Sequence, residues 1–244
     1  MPNINLSISE NLSVVLSPLF TGVKNCAKYT VMNNKIWILI PKNGCSTIAF
    51  CSELHNNVNN ANKIQYEADC TGSHAIDWCR LNRNGTIIPN KLIIDYDLPR
   101  IAFYRDPVDR FCSLINYAYS NFYDKKSTSC DYPQLFTEDF EQTLKNFVIY
   151  CTVANMFTNV DTSDQHAVSQ SKYLEYCGTK NLTLYHLKDL KKVFDKEGIV
   201  HYSINESSKR IVNRDNIPEY ILEQVKYIYR DDYNLEKLIQ QVDA

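Results

Sequence analysis

The chain has no surplus of positive charge, no apolar run long enough for a membrane, no Cys-x-x-Cys pair and no Gly-x-x-x-x-Gly-Lys-Ser/Thr loop, and each absence removes a class of function. A formal net charge of -2 at pH 7 gives no general basic field, so nucleic acid is not an expected partner and any anion site must be local. No segment approaches the roughly eighteen uninterrupted apolar residues of a membrane span, and the opening MPNINLSISENLSVVLSPLF lacks a basic stretch followed by a long apolar one. A cytoplasmic chain without a membrane span is expected. The nine cysteines (Cys26, Cys45, Cys51, Cys70, Cys79, Cys112, Cys130, Cys151 and Cys177) are odd in number and scattered, which argues against a disulfide framework or a zinc site and for free thiols in a reducing compartment. Neither an internal repeat nor a long low-complexity tract is present.

What is present suffices for one buried core: 244 residues, 44% hydrophobic and 22% charged. Residues 1–34 form an N-terminal lead-in with no assigned element, and 35–244 form the domain. Short apolar runs read as strands at 36–40, 91–96, 100–104 and 181–187. Helical patterns begin at 47–54 and continue at 107–123, 138–157 with a break, 169–176, 187–196, 218–229 and 235–242. Strands separated by helices imply an α/β fold with a central parallel sheet and helices on both faces. The polar stretch 123–134, poor in apolar residues and lying between two helical patterns, is the expected mobile loop.

Two places point to anion binding. In IWILIPKNGCSTIAF (36–50) an apolar strand runs into a small-residue turn and then a helix. The turn's backbone N–H groups and the helix dipole converge there, and Lys42 adds a full positive charge. Gly44 permits close approach of a bound group, while Ser46 and Thr47 can donate hydroxyl hydrogen bonds or cap the helix. The second place is IAFYRDPVDRFCSLINYAY (101–119), where Asp106 and Pro107 have the chemistry of a capped helix start. Arg105 then ends a strand just ahead of that helix, and Arg110, Ser113 and Tyr117 follow on one helical face. A planar guanidinium donates two hydrogen bonds at once to a phosphate, and Ser113 can add another. Alternatively, Arg110 pairs with Asp106 one turn away and both are structural. A ligand with phosphates at both ends of a nucleoside fits the pair of sites.

These residues resemble the sulfotransferases that use 3'-phosphoadenosine 5'-phosphosulfate, in particular the carbohydrate branch. IPKNGCST is similar to that family's 5'-phosphosulfate loop, and YRDPVDRFCSLINYAY to its 3'-phosphate motif, Arg-Asp-Pro-x-x-Arg-x-x-Ser-x-x-x-Tyr. Weaker likeness continues in DQHAVSQSKYL (164–174), similar to a His-x-x-x-Gln segment, and in INESSKR (204–210). The resemblance spans roughly 35–233. It implies a P-loop-like phosphosulfate site in an α/β domain, with Lys42, Asn43, Gly44, Cys45, Ser46 and Thr47 on the 5'-phosphosulfate, Arg105 and Ser113 on the 3'-phosphate, and Lys209 and Arg210 closing from a late loop. The signal anchor and stem of Golgi members are not matched, which implies a bacterial or viral relative acting in the cytosol.

The implied reaction moves a sulfuryl group to a hydroxyl, most simply on an oligosaccharide, polysaccharide or glycolipid. It needs in-line placement, charge neutralisation on the leaving phosphate and a base for the acceptor proton, with no metal. Lys42 serves the leaving group. His74 is the first candidate base, Glu67 the second and His166 the third, the last also suited to acceptor binding or packing. A small-molecule kinase and a non-catalytic nucleotide-binding module are the alternatives; the absent triphosphate loop pattern speaks against the first.

Overall fold

The computed structural model describes residues 28–56, 88–89, 97–123, 133–157, 160, 164–202 and 210–242. Its centre is a five-stranded sheet of β1 (Lys28–Met32), β2 (Lys35–Ile38), β3 (Ile88–Pro89), β4 (Arg100–Tyr104) and β5 (Leu182–His186), in the order β3-β1-β2-β4-β5. The helices are α1 (Cys45–Asn56), α2 (Pro107–Tyr123), α3 (Phe140–Phe157), α4 (Gln170–Cys177), α5 (Leu190–Lys196), α6 (Glu219–Ile228) and the single turn α7 (Asp232–Leu235).

The sheet is mixed, which corrects the expectation of a parallel one. β2, β4 and β5 run parallel, but β1 is antiparallel to both β2 and β3. The cause is local. Asn33 and Asn34 both take positive φ, 51° and 56°, which is the backbone of a two-residue hairpin turn and one that asparagine tolerates. The hairpin brings β1, from the stretch read as lead-in, into register with β2, Met32 opposite Lys35 and Tyr29 opposite Ile38.

Period-two burial divides the parallel strands between two cores. Ile36, Ile38, Ile40, Ala102, Tyr104 and Leu184 face one side, where Tyr173, Leu174 and Cys177 of α4 cover them. Trp37, Leu39, Ile101 and Phe103 face the other, under α1 and α5. β4 is buried along its whole length, as a strand covered on both faces must be. A third, helical core joins α2, α3 and α6 through Phe111, Ile115, Phe147, Cys151, Ile221 and Val225.

Two further expectations meet the structure differently. α3 runs unbroken from Phe140 to Phe157. The helix expected at 235–242 is replaced by α7, a tight turn Glu236–Leu238, and extended backbone in which Ile239 pairs with Leu184 and the Gln240 N–H donates to Leu184 O at 2.8 Å. The outer edge of β5 offers unpaired backbone groups, and pairing there also lets Ile239 pack against the sheet. The strand expected at 91–96 lies outside the described residues. Among the described residues, no helix is long and apolar enough to cross a membrane.

Candidate functional site

Strand β2 continues through buried Leu39 and Ile40 into a turn, Pro41 to Gly44, from which α1 springs. The turn closes on the Asn43 N–H donating to Ile40 O at 3.1 Å. Lys42 (φ 68°) and Gly44 (φ 75°) are both left-handed. For lysine this conformation costs about 1–2 kcal/mol, so neighbouring structure has to impose it. Two arginines do so: Arg105 donates from Nη1 to Lys42 O at 2.9 Å, and Arg110 from Nε to Pro41 O at 3.1 Å. At Gly44 a Cβ would lie 2.9 Å from Leu187 Cδ1, the movable end of a side chain, so it is the left-handed φ that calls for glycine there.

Arg105 stands at the carboxyl end of β4, the parallel neighbour of β2, so the two anion-binding stretches of the sequence meet at one edge of the sheet. The start of α2 is built as its residues imply. Asp106 Oδ1 accepts from the Val108 and Asp109 N–H groups at 2.8 and 3.1 Å, and Pro107 is the first helical residue. Asp106 does not pair with the Arg110 side chain; its partner is Arg214, through Nη2. Arg110 points inward instead, 1% exposed, and donates from Nη2 to Gln165 O at 3.2 Å. It buttresses the loop from behind.

Gln170, fully buried at the start of α4, fastens both stretches. Its Nε2 donates to Arg105 O at 2.8 Å and to Asp232 Oδ2 at 3.2 Å, and its Oε1 accepts from the Arg105 N–H at 3.0 Å and from Asn43 Nδ2. Asn43 Nδ2 also donates to Phe103 O at 2.6 Å, so this side chain tethers the loop to β4. Asp232, from α7, accepts the Gln170 and Ser171 N–H groups at 3.0 and 2.8 Å and thereby caps α4. Gln170 entered the sequence reading only as the glutamine of the His-x-x-x-Gln likeness, and Asp232 not at all, because their role depends on backbone groups brought together only by the fold.

In front of this scaffold are groups with donors to spare. Lys42 Nζ has no hydrogen-bond acceptor among the described residues; it lies over the Tyr117 ring, 4.1 Å from the centroid. Burial lowers its pKa from 10.5 to about 8, helped by the Arg105 and Arg110 charges and opposed by Cys45 and Asp164. Arg105, half-buried, has no acceptor among the described residues for its remaining guanidinium N–H groups. Burial lowers its pKa, as do the Arg110 and Arg210 charges, while Asp109 and Cys112 act the other way. Arg210, itself exposed, is therefore in electrostatic range of Arg105. Cys45, Ser46 and the buried Thr47 occupy the first turn of α1, and Ser113 is half-buried on α2. His74, Glu67 and Lys209 lie outside the described residues.

Tyr117 leads to a further group. His166 stacks on it with ring centroids 5.2 Å apart and planes at 18°. His166 Nδ1 is 2.7 Å from Asp164 Oδ1, which also accepts the His166 N–H at 3.0 Å, and Asp164 Oδ2 accepts the Tyr150 hydroxyl at 2.9 Å.

The described residues thus form an α/β domain with a strained, lysine-bearing strand-to-helix turn and an arginine side by side at the carboxyl edge of parallel strands. Comparison with protein-family models, with curated proteins and with solved structures gives no match to this chain.

Proposed function

We propose that this protein is a sulfotransferase that moves the sulfuryl group of 3'-phosphoadenosine 5'-phosphosulfate to a hydroxyl acceptor, a carbohydrate by preference. One observation carries the reading: Lys42 and Arg105, each with unused donors, are locked together at the ends of adjacent parallel strands by the 2.9 Å bond from Arg105 Nη1 to Lys42 O. Anions bind at such carboxyl edges because helix N-termini and strand-end amides converge there. Lys42, with the N–H groups and hydroxyls of 44–47, takes the 5'-phosphosulfate; Arg105 and Ser113, with Arg210 near, take the 3'-phosphate. The sequence resemblance supplies the identity of the donor, and the acceptor class rests on that resemblance alone.

In this reading the protein does little covalent chemistry. The loop fixes the donor, and Lys42 stabilises charge developing on the bridging oxygen as the sulfur–oxygen bond lengthens, in surroundings dry enough to strengthen the interaction. The acceptor oxygen approaches sulfur from the opposite side and must lose its proton.

Calorimetric titration with adenosine 3',5'-bisphosphate, adenosine 5'-monophosphate and ATP tests the proposal. Preference for the bisphosphate is expected; preference for ATP, or no binding of any of the three, rejects the donor assignment. Arg105→Ala should weaken the bisphosphate about ten- to hundredfold more than the monophosphate, the value of a charge-assisted hydrogen bond or two, the monophosphate losing only what the loop loses with the bond to Lys42 O. Equal losses on both ligands would remove Arg105 from the 3'-phosphate.

The lysine also sets a pH dependence. A bound phosphate favours the ammonium, so the Lys42 pKa rises on binding, and above about 8 the free protein must take up a proton to bind. Bisphosphate affinity should hold steady up to pH 7 and fall as pH rises through 8 to 9. In Lys42→Met that fall should vanish; a parallel fall in the variant would assign it to another group.

A further inference from the structure

The sulfuryl-transfer reading needs a group to take the acceptor proton, and the residue singled out first for that task, His74, lies outside the described residues. His166 has the required construction. In an Asp–His pair the carboxylate fixes the tautomer, because it can only accept: the proton resides on the nitrogen it faces and the other nitrogen keeps its lone pair. Here Asp164 Oδ1 faces Nδ1 at 2.7 Å, while Nε2 has no partner among the described residues. Asp164 is itself fixed, with Oδ2 bonded to the buried Tyr150 and Oδ1 accepting a backbone N–H. The imidazole is one-third exposed, open enough to meet a ligand and packed enough to be held.

Position supports the same role. His166 and Lys42 share one tyrosine ring: the imidazole stacks on Tyr117 at 5.2 Å and the ammonium lies 4.1 Å from its centroid. In-line transfer needs a cation at the leaving oxygen and a base at the attacking one, separated by the group in flight. The lysine and the histidine rest on the same ring, which places the two kinds of group that transfer needs in one site. The frame is rigid, since Arg110 bonds Pro41 O on the lysine's loop and Gln165 O next to His166, and so joins both partners from behind.

Resting on that transfer reading, we propose that His166 is the general base, with Asp164 and Tyr150 as its positioning residues. The acceptor hydroxyl gives its proton to Nε2 as its oxygen bonds to sulfur. The bond between sulfur and the 5'-phosphate oxygen breaks, and the electron pair leaves with the bisphosphate, stabilised by Lys42. The imidazolium formed is balanced by Asp164. The charged and titratable groups around it are Asp164 in its own segment, Tyr117 and Arg110 on α2, Tyr150 on α3 and Lys42 on the loop.

The test combines a tautomer measurement with turnover. Long-range proton–nitrogen correlation spectra of the histidine-labelled protein, with His166 identified by its loss in His166→Gln, should show hydrogen on Nδ1 and none on Nε2, and Asp164→Asn should move it. Bisphosphate release from the sulfuryl donor, measured in water and with sugar acceptors, should fall about 10²- to 10⁴-fold in His166→Gln and in His166→Asn, with bisphosphate affinity within twofold of the parent. Hydrogen on Nε2 in the parent protein, or unimpaired release in either variant, overturns the assignment, as does a loss of that size found instead in His74→Ala or Glu67→Gln. A parent protein that binds the bisphosphate but never releases it from the donor overturns it too. Failure of the bisphosphate to bind the parent protein strikes the transfer reading itself, and is thereby told apart from failure of the base assignment.

Discussion

Replacing Lys42 by alanine should lower donor turnover by about 10²- to 10³-fold, the range expected when one preorganised donor to developing negative charge is removed. It should do so without loss of stability. The ammonium is desolvated, stands near Arg105 and Arg110 and makes no hydrogen bond to a described residue, so at neutral pH it is an unfavourable component of the folded state, as its lowered pKa states. A group whose folded pKa lies below its unfolded value makes the unfolded chain the stronger proton binder between the two, here between about 8 and 10.5. Its contribution to stability therefore rises with pH across that window. Melting of Lys42→Met should accordingly match or exceed the parent at pH 7, with the advantage shrinking toward pH 10. The parent falls in absolute terms at high pH for a different reason: burial pushes the thiols of Cys151 and Cys177 up to about 12, and such groups lose their contribution as pH rises past the unfolded value near 9. A Lys42→Ala protein that melts well below the parent, with turnover reduced only in proportion to its folded fraction, would make the lysine structural and refute the role given to it.

A lysine that destabilises the fold and holds a left-handed backbone is the kind of local conflict that marks a working site. Some of that site was legible in the sequence. RIAFY gave its strand to the residue, because an arginine and four apolar residues between a proline and an Asp-Pro helix start leave little alternative. The Asp106 cap and a strand-to-helix turn were equally local, although the turn lies at 41–44 and not at the expected 43–47, and local chemistry survives into the fold. The hairpin at Asn33 and Asn34 was also local; the paired asparagines between two apolar runs were the available signal, and their use turns the first strand antiparallel.

What was not legible depended on distance. Arg110, Ser113 and Tyr117 share a helical face by spacing, yet periodicity cannot say whether that face meets solvent, a ligand or another loop, and the answer differs along it. Arg110 is sealed beneath Pro41 and Gln165, Ser113 is half-buried, and Tyr117 lies between Lys42 and His166. Gln170 and Asp232 are separated by sixty-two positions and meet through backbone N–H groups, which leave no trace in side-chain pattern. The same holds for Asp164 and His166, whose spacing is ordinary until Tyr117 and Lys42 are placed beside them.

Arg110 gives the sharpest contrast between these levels, and its removal should have the larger effect on folding. Arg110→Ala deletes two hydrogen bonds from a charged donor, each worth about 1.5–3 kcal/mol, and leaves the carbonyls of Pro41 and Gln165 without them in a buried place. Relief of the desolvated guanidinium offsets part of this, so a net loss of about 3 kcal/mol is expected, or a drop of about 6–12 °C in Tm for a chain of this size. Arg110→Lys should restore little, since a single ammonium cannot serve two carbonyls held at the angle of a guanidinium fork. Both the lysine loop and the His166 segment lose their common support, so bisphosphate affinity should fall together with Tm, whereas Ser113→Ala should lower affinity alone. If Arg110→Ala melts with the parent while bisphosphate binding drops a hundredfold, the arginine is a ligand group that turns outward on binding, and the helical-face reading of the sequence was the correct one.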